Sequence, residues 1–190
     1  YFKAVPTRDE DQVTTVDDLS PVIELYHHTI RANRYDEAYQ LMSDRLARPL
    51  YYRLGLYETC IELLRALFPD GEKHLPRLRS DALNTLGLAY SRSGQPLRSL
   101  PLFEASNAIA VRYGDRQNLA IGLGNLAYDQ SLLGQLKAAE ANLQRRVELA
   151  REAGDRFREA VGHQELGRLR IYMGSSEDAE KELAIALGVF

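Results

Sequence analysis

Cysteine occurs once in the 190 residues, at Cys60, so no disulfide can close within the chain and a reducing, cytoplasmic setting is expected. Cys60 lies in the apolar run ETCIELLRALF and reads as a small buried hydrophobe, not a reactive thiol. Basic charge is not in excess: 24 Lys and Arg stand against 27 Asp and Glu, a formal net charge of -3. A surface of that balance holds no phosphate backbone by counterion release, which excludes nucleic acid as an expected partner. No apolar run reaches about 18 residues and no basic start leads into a short apolar core, so neither a membrane span nor a secretory signal is legible. The chain starts at Tyr1 and ends in LAIALGVF, apolar to its last residue, and is expected to be a piece of a longer polypeptide.

Chemistry-bearing patterns are equally scarce. Adjacent histidines on a helix, as at His27 and His28, point about 100° apart. With His74 and His163 they make no ligand spacing for a metal. HQEL at His163 lacks the second histidine of a zinc-protease helix. No GxSxG elbow marks a hydrolase. Gly122, Gly124 and Gly134 in GLGNLAYDQSLLG fit neither phosphate-loop spacing. No catalytic group, metal or cofactor is expected.

What the chain does have is a repeat. Gly94, Gly134 and Gly174 lie 40 residues apart, and other positions fall into columns with them: Leu86, Leu126 and Leu166; Gly87, Ala127 and Gly167; Ser99, Ala139 and Ala179; Phe103, Leu143 and Leu183. Between the glycines the apolar residues step by three and four. Leu119, Ala120, Leu123, Leu126, Ala127, Gln130 and Leu133 mark one stripe; Leu136, Ala139, Leu143, Val147 and Ala150 mark the next. Each unit therefore reads as two helices. The column glycines sit where the first helix stops and the chain reverses in a left-handed backbone angle, and Asn33 takes that place upstream. Gly114-Asp115 and Gly154-Asp155 close two units at equal phase, with the aspartates set to cap the helices that follow. The small columns allow paired helices to approach closely. Pro96 is harmless at a helix start, whereas Pro101 predicts a kink or a loosened first turn.

The columns Leu86, Gly87, Tyr90, Gly94, a small residue and Phe103 resemble the tetratricopeptide repeat, in its longer 40-residue form. That form is found in arrays that cradle peptides and in the sensor arrays of multidomain signal-transduction ATPases of the STAND type. The stretches VIELYHHTIRANRYDEA and PLYYRLGLYETCIELLRALFPDGE look similar to the start of arrays that follow a nucleotide-binding module in such bacterial proteins. The resemblance implies an all-α fold, a right-handed α-solenoid of stacked antiparallel hairpins. Residues 1–18 are expected to be a linker or irregular cover, 19–68 degenerate helix pairs and 69–78 a loop, broken by Pro69, Asp70, Gly71 and Pro76. Residues 79–190 then form three units, about 79–115, 116–155 and 156–190, in one continuous domain.

The resemblance also implies a function of recognition, with a protein or peptide held in the concave groove lined by the first helix of each unit. Carried over column by column, the groove residues are Asn84, Gly124 and Gln164; Leu88, Tyr128 and Arg168; Ser91, Ser131 and Ile171; Arg92, Leu132 and Tyr172. Asn125 joins at the edge, and His27 and Arg31 fill the same columns upstream. Amides suit a bound backbone, the tyrosines offer flat apolar area, and the arginines can pair with a carboxylate. An alternative expectation is a homodimer, self-associating through Leu183 and Leu187 of the C-terminal helix.

Overall fold

The computed structural model describes residues 12–68 and 77–188. The expected loop lies mostly outside them, as do most of the linker and the last two residues. The described residues are mostly helical, with no strand among them. The fold class is an all-α solenoid of helix hairpins, and the chain divides into two compact units, one ending at Gly94 and one starting at Gln95.

In the first unit Val16–Leu19 forms a short 3-10 turn, where Thr15 and Asp18 cap each other. Helices α1 (Ser20–Arg31), α2 (Tyr35–Leu41), α3 (Tyr57–Arg65) and α4 (Arg77–Arg92) follow. Between α2 and α3 the backbone widens into two π-helical turns, Met42–Leu46 and Pro49–Arg53. Met42, Leu46 and Leu50 are fully buried there. Tyr26 of α1 donates its hydroxyl to the Leu63 carbonyl of α3 at 2.5 Å, a polar tie across an otherwise apolar core.

The second unit runs α5 (Pro96–Tyr113), α6 (Arg116–Leu132), α7 (Leu136–Glu152), α8 (Arg156–Tyr172) and α9 (Ser176–Gly188). Each helix packs chiefly on its neighbours in the chain. The corners are built alike. Gly114, Gly134, Gly154 and Gly174 take φ of 66, 75, 67 and 79°, and the following amide reaches back to close the helix: Gln135 N–H to the Gln130 carbonyl at 2.8 Å, Asp155 to Ala150 at 2.9 Å. Asn33 does the same upstream at φ 59°, the one non-glycine in that region among the described residues. Asp115 and Asp155 accept from the amides of Asn118 and Arg158, as caps. α5 runs unbroken with Pro101 inside it; the ring takes the helical donor from the carbonyl of exposed Leu97.

The small columns do what close packing requires. A Cβ at Gly167 would stand 2.8 Å from Leu183 Cγ and 3.3 Å from the Ala179 carbonyl oxygen. Ala127 and Ala139 are buried in one cluster with Leu143, Val147, Leu166 and Leu169. Ser99 is also a polar anchor: its hydroxyl bonds the carboxylate of Asp129 on α6, both groups fully buried.

Candidate functional site

An open cleft lies along the second unit where α6 and α8 stand side by side over α7. Its floor is Gly124, Ala127, Leu143 and Leu169; its rims are Tyr128 and Ser131 on α6, and Glu165, Arg168 and Tyr172 on α8. These rim residues recur at helical steps of three and four, which puts them on one face of each helix. Tyr128 is 44% exposed and Tyr172 64%, so two aromatic faces remain uncovered beside an apolar floor.

The electrostatics follow from one glycine. Gly124 has no side chain, and the guanidinium of Arg146 on α7 lies across its backbone, where a Cβ would collide with it. From there Arg146 pairs with Glu165 across the α7–α8 boundary. That pairing neutralises the one acid of the lining. Arg168 is exposed and makes no ion pair among the described residues, so the cleft keeps a single available positive charge. The Ser131 hydroxyl is engaged with the Tyr128 carbonyl at 2.6 Å and shapes the rim without offering a free donor. The cleft is open to solvent and holds about 50 Å³ of space, far below the several hundred Å³ of pockets that engulf a small molecule. The cleft therefore suits a side chain or two projecting from a longer segment.

Tyr128, Ser131, Arg168 and Tyr172 thus come together, with Gly124 beneath them. Asn125 is half-buried and Gln164 exposed, and neither lines the cleft. Leu132 and Ile171 are exposed on the same two helices. Asn84, Leu88, Ser91 and Arg92 belong to α4 in the first unit; Asn84 and Leu88 are half-buried there, Ser91 is buried and Arg92 exposed. Glu165 was legible only as a helix residue, because its pairing with Arg146 spans 19 residues and leaves no mark on helical periodicity. Of the proposed self-association pair, Leu183 is half-buried against Gly167 of its own hairpin, while Leu187 is exposed.

The remaining titratable groups are structural in their surroundings. His163 is buried, with Nδ1 2.6 Å from the Glu182 carboxylate. His27 and His28 are exposed, and no group of three or more metal-ligating side chains occurs among the described residues. Burial pushes the Cys60 thiol up to about 12, leaving it protonated at neutral pH. Among the described residues no helix is long and apolar enough to cross a membrane.

Residues 78–152 match the family model described as tetratricopeptide repeat. No curated protein matches the sequence. Among solved structures the chain resembles BtubC (BKLC) from P. vanneervenii, at 20% identity and a TM-score of 0.71, over 90% of this chain and 68% of that one. MamA matches at 17% identity and a TM-score of 0.67, over 97% and 96% of the two chains. YrrB, whose structure is described as a tetratricopeptide protein with an unusual peptide-binding site, matches at 15% identity and a TM-score of 0.60, over 89% and 84%. At these identities the likeness speaks for the fold.

Proposed function

We propose that this chain, whose residues 78–152 match the tetratricopeptide repeat model, is a non-catalytic scaffold that holds an extended segment of a partner protein in the α6–α8 cleft. The observation that carries this reading is the pairing of two exposed tyrosine faces with one uncommitted guanidinium over an apolar floor. Tyr128 and Tyr172 would clasp an apolar side chain, and Arg168 would take a neighbouring carboxylate in a charge-assisted hydrogen bond. The peptide-binding description of YrrB supports the same reading.

A peptide array probed with the chain and with a Tyr128→Ala, Arg168→Ala double variant tests it. Capture should favour peptides with an apolar residue beside an acid, and the variant should lose about tenfold or more in affinity. Undiminished capture by the variant rejects the cleft. The finer context we infer is the cytoplasmic sensor array of a larger bacterial signalling ATPase. It rests on the resemblance of the upstream helices, and flanking sequence without a phosphate-binding loop would end it.

A further inference from the structure

Glu165 and Arg168 both line the α6–α8 cleft and stand three residues apart on α8. At that spacing the side chains of a helix meet. The chain closes such pairs elsewhere: Arg34 with Glu37, Arg145 with Glu148 at 2.8 Å, and Arg158 with Asp155, where the acid precedes the base as Glu165 precedes Arg168. Glu165 instead reaches across to Arg146 of α7, and Arg168 makes no ion pair among the described residues.

Two departures from the repeat make that exchange possible. The column of Arg146 is otherwise small and buried, with Ser106 and Ala186. The column of Gly124 otherwise carries amides, Asn84 and Gln164. The two exceptions meet. A Cβ at Gly124 would stand 2.9 Å from Arg146 Cζ and 3.3 Å from its Cδ, so the guanidinium occupies space that any side chain at this position would take. A long base at a small column and a missing side chain beside it thus form one fitted pair. Arg146 does not itself line the cleft. The place is interior to the stack, since α6 packs on α5 and α7, and α8 on α7 and α9.

We propose that Gly124 and Arg146 set the charge of the ligand: seated in the space that Gly124 leaves open, Arg146 holds Glu165 and so keeps Arg168 free for an acidic segment. Arg146 is a positioning residue that acts through Glu165, and the inference rests on the cleft as the binding site. Without Arg146, Glu165 turns to Arg168 on its own helix, the cleft loses its available cation, and the preference for an acid goes with it.

The probes are two synthetic peptides that carry leucine beside a single glutamate or, in the copy, a single glutamine, with binding read by fluorescence anisotropy. Wild type should favour the glutamate peptide by about tenfold, the order of one charge-assisted hydrogen bond. Arg146→Met should remove that preference. Glu165→Gln added to Arg146→Met should restore it, a rescue that a mere packing role for Arg146 does not give. Gly124→Ala should act as Arg146→Met does, because its new methyl displaces the far end of a flexible side chain. Glu165→Gln should rescue it too, whereas a methyl that only filled the cleft would not be relieved. Circular dichroism of each variant confirms that the helices remain. A second readout needs no ligand: the Nε–H resonance of Arg168 should shift in Arg146→Met and return in the double variant. An unmoved resonance, or a glutamate preference that survives Arg146→Met, overturns the inference. Equal binding of both peptides by wild type, with a resonance that moves as expected, rejects the cleft reading instead.

Discussion

Burial decides the chemistry of single side chains here. Cys60 carries a sulfur nucleophile in principle, but desolvation penalises its thiolate and holds the thiol protonated up to about pH 12. The native protein at pH 8 should leave a disulfide reagent unreacted over minutes, with one equivalent released once denaturant is added. Prompt release from the folded protein would refute the assignment. The linkage sign follows: the unfolded thiol ionises first, so its contribution to stability falls as pH rises above the ordinary thiol range toward 12. Tyr26 and Tyr51 are raised by the same desolvation, and Tyr26 offsets its burial through the bond to Leu63.

At the scale of the helix, order comes from the ends. Asp155 is held below the usual carboxylate range, first by the Arg158 amide and then by the Arg158 side chain. A depressed folded pKa gives stability that is complete above the unfolded value of about 4 and is lost as pH falls through the folded one. Asp155→Ala should therefore lower the urea midpoint at pH 7 with unchanged slope, and the gap to wild type should shrink as the pH is lowered below about 4. An equal gap at both ends would show that the cap is not charge-assisted. The ends were also what the sequence displayed best. Gly134, Asn33 and Asp155 have few other local uses, so each announced its corner. The π-helical turns at Met42–Leu46 and Pro49–Arg53 announced nothing, because the residues that widen them are ordinary helix formers and the cause lies in packing. Ser99 showed as a small residue, and its bond to Asp129 stayed hidden because the partner lies on the next helix. The cleft was half legible for the same reason: column positions gave Tyr128 and Arg168, whereas Arg146 over Gly124 depends on which helix lies beneath.

For the molecule, the second unit is a series of nearest-neighbour contacts, and damage should stay where it is made. Gly167→Leu places new atoms against Leu183 and the Ala179 carbonyl, an overpacking of roughly 1–3 kcal/mol. Hydrogen exchange should quicken in α8 and α9 and change little in α5. Equal loss across all five helices would mean that the unit melts as one block. The sameness of α6, α7 and α8, each 17 residues long and closed by the same corner, has a genetic consequence. A recombination event that copies or deletes 120 nucleotides keeps the reading frame and the 40-residue phase of the corners together.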